Sequence, residues 1–165
     1  PVWRQSERSA VYAHALDRLI ALGVAYPCFC TRSDIAAAAS APHGPDGPIY
    51  PGTCRRLDAA TRARRLAGER PAWRVDVAAA LAITEPLHWH DATAGWQAAD
   101  VAAGGDFVVA RRDVGTAYAL AVVVDDAAQG ITDVVRGIDL FAATHAQRLL
   151  QALLGLPTPR YHHHP

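Results

Sequence analysis

Three cysteines constrain this chain more than any other feature. Cys28 and Cys30 stand one residue apart, and Cys54 returns beyond a segment, Ala41 to Thr53, that carries Pro42, Pro45, Pro48 and Pro51 together with Gly44, Gly47 and Gly52. Such a segment sustains neither helix nor strand, and it holds little apolar material for a core. Two soft ligands on one short piece and a third brought back across a loop suit zinc, which takes four tetrahedral ligands, usually thiolate or imidazole. A metal there would replace the missing core. Ordinary buried cysteines would explain the same spacing. Chemistry alone leaves the fourth ligand open between His43, the conventional choice, and Tyr50, the unusual one. An odd number of cysteines without a charged-then-apolar leader points to a reducing compartment, the cytoplasm.

The 165 residues suffice for one core with a small appended lobe. A formal charge of zero gives no global pull towards nucleic acid or membrane, so any basic surface must be local. The most apolar run, "YALAVVV", is too short to span a bilayer. All sixteen basic residues are arginine, a bias that GC-rich coding explains. The chain has no methionine and opens "PVWRQSERSAVY", so the expectation is a piece of a longer protein.

Spacing predicts a first helix over "SERSAVYAHALDRLIALG", capped by Ser6 and stopped by Gly23, with Val11, Tyr12, Ala15, Leu16, Leu19 and Ile20 on its apolar face. "VAYPCFC" reads as extended, Ser33 to Ala39 as a weak helix, and "DAATRARRLAGE" as a short arginine-rich helix. "AWRVDVA" and "LHWHDA" read as strands joined by an alanine-rich linker. "GDFVVARRD" and "TAYALAVVVDD" read as a hairpin turning at Val114–Gly115, with Asp125–Asp126 as a strand-to-turn cap. "ITDVVRG" is a further strand. Thr144 and Gln147 form a capping-box pattern for "THAQRLLQALLG", whose Leu149, Leu150, Leu153 and Leu154 face a core. His88 and His90 share one face of a strand, a weak metal-pair signal.

"YPCFCTRSDI…APHGPDGPIYPGTCR" resembles the zinc segment of the glutamyl-Q tRNA(Asp) synthetase family, truncated relatives of bacterial glutamyl-tRNA synthetase. In that family Cys-x-Cys and Tyr-x-x-x-Cys hold the metal, which here implies Cys28, Cys30, Tyr50 and Cys54, and so favours Tyr50 over His43. "AVVVDDAAQGITDVVRG" and "WRQSERSAVY" are similar to the same family's class I catalytic domain, and "LPTPRYHHHP" to the segment before its second ATP-binding loop, so the terminal histidines read as natural sequence. The resemblance implies an α/β fold: part of a Rossmann-like class I catalytic domain with an inserted zinc-containing lobe. The implied division is 1–25, a helix from the first half of that domain; 26–104, the zinc-binding, acceptor-type lobe; and 105–165, the second half.

The family's glutamate-binding positions fall on Tyr118 and Arg136. A guanidinium can hold a carboxylate through two parallel charge-assisted hydrogen bonds, and a phenol adds a directional one. No catalytic general base is assigned, and Asp125, Asp126, Asp139 and Gln147 stay without a substrate role. The implied activity is activation of L-glutamate with ATP, Mg2+ accompanying the nucleotide, and transfer to the queuosine base of tRNA(Asp). Neither ATP-signature motif of the class, His-x-Gly-His-like or Lys-x-Ser-Lys-like, occurs here, so this piece alone is expected to form no glutamyl-adenylate. Alternatives are an ordinary glutamyl-tRNA synthetase fragment and a noncatalytic zinc-stabilised RNA-binding module using the arginines of "CRRLDAATRARRLAGER". A cytoplasmic monomer, without membrane contact, is expected.

Overall fold

The computed structural model describes residues 3–38, 43–44, 47–113 and 115–165. A 3-10 turn at Gln5–Glu7 precedes α1 (Ser9–Ala21), β1 (Ala25–Cys28), α2 (Arg32–Ala38), β2 (His43–Gly44) and β3 (Gly47–Pro48). Then come α3 (Ala59–Gly68), β4 (Ala72–Val75), α4 (Val77–Ala82), β5 (His88–Asp91) and β6 (Gly95–Ala98). β7 (Val108–Arg111), β8 (Gly115–Thr116), α5 (Tyr118–Gln129), β9 (Asp133–Gly137), α6 (Ala143–Leu154) and β10 (Arg160–His164) complete the chain.

One sheet runs β1-β4-β7-β8 and is antiparallel throughout. The other runs β6-β5-β10-β9, with β10 parallel to both β5 and β9. β9, α6 and β10 form the parallel crossover unit expected of a Rossmann-like α/β domain. Both sheets combine strands from 26–104 with strands from 105–165, so pairing crosses the boundary at 104/105.

The main core lies where α1, α4, α5 and α6 meet the first sheet, with Leu19, Val75, Val109, Leu120, Leu149 and Leu150 fully buried. α1 buries Tyr12, Ala15 and Leu19 as its period requires, while Val11 stays exposed. Ser6 does not cap it. Ser6 lies in the preceding 3-10 turn, and Arg8 stands at the cap position without a side-chain cap bond.

The hairpin expectation is corrected in its second arm. β8 pairs with β7 for two residues only, and "YALAVVVDDAAQ" is helix α5. Leu120, Ala121, Val123 and Val124 are buried, a helical i, i+1, i+3, i+4 stripe that the valines' β propensity disguised. Gly130, in left-handed conformation at φ +69°, ends it as a side chain rarely could. Asp125 is therefore no strand cap but a buried helix residue, accepting from Arg8 Nε at 2.7 Å and Tyr12 Oη at 2.6 Å. The alanine-rich linker is likewise a helix, α4, because the Asp76 carboxylate accepts from Ala79 N and caps it. Thr144 lies within α6 and makes no capping box. Val114, half of the expected turn, lies outside the described residues.

Candidate metal centre and substrate site

β1 delivers Cys28 from a sheet edge, and a 3-10 turn at Cys54–Arg56 brings Cys54 back beside it. The three Sγ atoms lie within 4.8 Å of one another, the one group of this kind among the described residues. Tyr50 completes the cluster. Its Oη lies 3.4 Å from Cys28 Sγ and 3.5 Å from Cys30 Sγ, and Cys30 Sγ lies 3.4 Å from Cys54 Sγ. A tetrahedral zinc with bonds of about 2.3 Å to sulfur and about 2.0 Å to oxygen has ligand-to-ligand edges of roughly 3.5–3.8 Å. Three sulfurs and a phenol oxygen at these spacings fit such an ion. The side chain of His43, the alternative ligand, lies outside the described residues.

Cys28, Tyr50 and Cys54 are buried and Cys30 is half-buried. Burial pushes the Cys30 thiol up to about 11 and the Tyr50 phenol well above its ordinary value. Burial alone would raise Cys54 too, but hydrogen bonds from Tyr50 Oη and the backbone N–H of Phe29 hold it below the usual thiol range. A bound cation reverses this logic, since a coordinating thiol is deprotonated outright. Among the described residues, the apolar side chains packed with the cluster are Tyr26, Phe29, Ile35 and Leu57. Arg74 lies over the Tyr50 ring at 4.0 Å and Arg65 over Phe29 at 4.4 Å.

Asp106 is one of several links between the cysteine cluster and the main core, beside the β1–β4 pairing and the Arg55–Asp76 ion pair. Asp106 accepts from Tyr26 Oη at 2.6 Å, Arg55 Nη1 at 3.1 Å and Val77 N at 3.1 Å. Beside it, Gly105 has φ +64°, and a Cβ there would meet Ile49 Cγ2 at 2.7 Å. Only glycine satisfies both conditions. Between lobe and body opens a cleft of about 740 Å3, edged by Ile35, Tyr50, Arg74, Phe107 and His145.

Arg136 lies in β9, and Tyr118, half exposed, opens α5; no hydrogen bond joins them among the described residues. Arg136 donates from Nε to His163 Nε2 at 3.0 Å and from Nη2 to Thr144 Oγ1 at 2.6 Å and Leu140 O at 3.3 Å. No carboxylate pairs with it among the described residues. Burial raises Asp126 against the pull of the Arg136 charge. Asp139 is exposed, and Gln147 is buried with Nε2 unpartnered among the described residues. His88 and His90 join no metal-ligand group there, and His90 instead packs edge-on against Trp96. Of the arginines read as phosphate contacts, Arg62 donates to the Arg55 and Leu57 carbonyls and Arg65 pairs with Glu69, leaving Arg56, Arg64 and Arg70 exposed. The sequence reading missed Asp91 and His163, buried residues 72 positions apart that pair at 2.8 Å.

The pattern of the family described as "tRNA synthetases class I (E and Q), catalytic domain" matches residues 1–165. The chain is 47% identical to the Glutamyl-Q tRNA(Asp) synthetase of Rhodobacter capsulatus, across 99% of this chain and 62% of that protein. It is 51% identical to the Leptothrix cholodnii protein of the same name, across 100% of this chain and 55% of that protein. The chain thus spans roughly half to three-fifths of these relatives' length. Its fold matches the crystal structure of a glutamate-tRNA synthetase from Elizabethkingia anophelis with a TM-score of 0.79 at 20% identity, over 97% of this chain and 33% of that one. No helix among the described residues is long and apolar enough to cross a membrane.

Proposed function

Because this chain belongs to the family of class I tRNA synthetase catalytic domains for E and Q, we propose that the full gene product activates L-glutamate with ATP and Mg2+ as glutamyl-adenylate. It then transfers glutamate to the queuosine base of tRNA(Asp). Identity of 47% and 51%, over nearly all of this chain, to proteins named for that reaction carries the reading. The residues supply its chemistry. Arg136 is a half-buried guanidinium held by neutral partners, and such a charge favours an anion beside it. Its Nε and Nη2 are engaged, so the substrate carboxylate takes the remaining Nη1 donors, with Tyr118 adding a phenol. Adenylate formation needs orientation and charge stabilisation more than covalent help from the protein, and no general base is assigned.

Cys28, Cys30, Tyr50 and Cys54 hold one structural Zn2+ in this reading, and the segment 26–104 is the lobe inserted between 1–25 and 105–165 of the catalytic domain. The three free thiols suit a cytoplasmic protein, and a monomer is favoured.

The test is glutamate-dependent exchange of pyrophosphate into ATP by the full gene product, followed by labelling of tRNA(Asp) with and without queuosine. Label confined to queuosine-containing tRNA(Asp) is expected. Label at the 3′ end of tRNA(Glu) would mark an ordinary glutamyl-tRNA synthetase. Salt-sensitive RNA binding without exchange would mark a noncatalytic module. Arg136→Ala should weaken use of glutamate about ten- to a hundredfold, the worth of a charged hydrogen bond, and use of ATP far less. Unchanged glutamate kinetics would remove Arg136 from the site.

A further inference from the structure

We propose that Asp91 and His163 are positioning residues: across three adjacent strands they hold Arg136 by its Nε, so that Nη1 is presented to the substrate carboxylate. The proposal rests on the reading of Arg136 given above.

The three side chains form a row across the second sheet. Asp91 closes β5, His163 lies in β10 and Arg136 in β9, and His163 is the direct register partner of Arg136. The Asp91 carboxylate is fixed on both oxygens. Oδ1 accepts from Thr93 N and Ala94 N, each at 2.9 Å, and Oδ2 accepts from His163 N at 3.1 Å. These contacts, with the imidazole, outweigh burial and hold the carboxyl well below its ordinary range. The His163 side chain is fully buried, stacked on Tyr161 and edged by Trp89 and Phe141, so its ring cannot turn freely.

Hydrogen-bond chemistry then sets the tautomer. Arg136 Nε can only donate, so His163 Nε2, 3.0 Å away, carries no proton. The ring proton must sit on Nδ1, 2.8 Å from Asp91 Oδ2. Thr144 supports the same arrangement, since its Oγ1 donates to Leu140 O at 3.2 Å and accepts from Arg136 Nη2. His163 Nε2 and Thr144 Oγ1 thereby fill the side-on fork of the guanidinium, Nε with Nη2. Nη1 has no partner among the described residues. A buried carboxylate and imidazole are costly where packing alone is needed, and apolar residues of similar volume would serve a sheet interior as well or better. Here the polar row ends on a cation without an ion-pair partner among the described residues, which is what a site that fixes a guanidinium for an incoming anion requires.

The test combines one measurement on the unaltered protein with a pair of variants. In this chain, the 15N signals of His163 should show a protonated Nδ1 and an unprotonated Nε2. A protonated Nε2 would overturn the proposal outright. In the full gene product, His163→Leu should raise the KM for glutamate about tenfold or more, as loss of a charged hydrogen bond does, with the KM for ATP little changed. His163→Gln, whose Oε1 reaches the position of Nε2, should restore much of that loss. Asp91→Asn should act like His163→Leu, because an amide N–H facing Nδ1 drives the ring proton onto Nε2, against Arg136. Equal glutamate KM values for the Leu and Gln variants, while Arg136→Ala remains impaired, would overturn the positioning role alone. An Arg136→Ala enzyme with normal glutamate kinetics would instead overturn the substrate reading on which it rests. If His163→Leu fails to fold, the 15N signals and the Gln variant decide.

Discussion

The main core and the cysteine lobe bury side chains for opposite reasons. In the core, Leu19, Leu120, Leu149 and Leu150 pack between helices and a sheet, and stability is spread over many apolar contacts. In the lobe, three thiols and a phenol converge on one point, with Phe29, Ile35 and Leu57 supplying most of the hydrocarbon around them. Apolar burial at about 25 cal/mol per Å2 suffices for the first and is scarce in the second. The first should therefore tolerate loss of any one side chain better than the second tolerates loss of its metal. Coordination concentrated at such a cluster would substitute for distributed packing.

The largest effect should come from Cys54→Ser. Structural zinc sites are worth on the order of 10 kcal/mol of local folding free energy, so this variant should lose bound metal and the order of residues 26–30 and 50–57, as read by elemental analysis and limited proteolysis. A variant that keeps full metal and protease resistance would break the comparison. Leu120→Ala, in the main core, should cost about 2–5 kcal/mol in a denaturant titration yet leave metal content unchanged. Asp106→Ala probes the joint: Tyr26 Oη and Val77 N lose their acceptor, a cost of about 1–3 kcal/mol per orphaned group. It should also make the two regions unfold less cooperatively. Trp96→Ala, at a side chain 74% exposed, should move stability by no more than about 0.5 kcal/mol.

Local signals in the sequence suffice where one element's own residues decide its structure. α1, β9 and α6 stand where periodicity puts them, and Gly23 and Gly155 end their helices at positive φ. The errors share a physical cause. α5 resembles a strand in sequence because three successive valines suggest β structure locally, while their helical burial depends on α1 and α6 packing against them. α4 resembles a linker in sequence because its stability comes from the Asp76 cap and from burial of Val77 and Ala80 rather than from apolar periodicity. In the lobe, cysteine spacing suggests a metal and chemistry leaves the fourth ligand open between His43 and Tyr50; only family resemblance favours Tyr50. The structure places its Oη among the sulfurs. The Asp91–His163 pair was illegible, since nothing local links residues 72 positions apart. In β10 the structure buries Tyr161 and His163 and leaves Arg160, His162 and His164 exposed.

The most direct test of the two-core account is hydrogen exchange on this chain, metal-loaded and after removal of zinc by a chelator. The account predicts one zinc per loaded chain. After chelation, amides of residues 26–30 and 50–57 should lose protection while those of α1, α5 and α6 keep theirs. Unchanged protection in the lobe after the metal is gone would contradict it, because the cysteine cluster would then be held by packing alone.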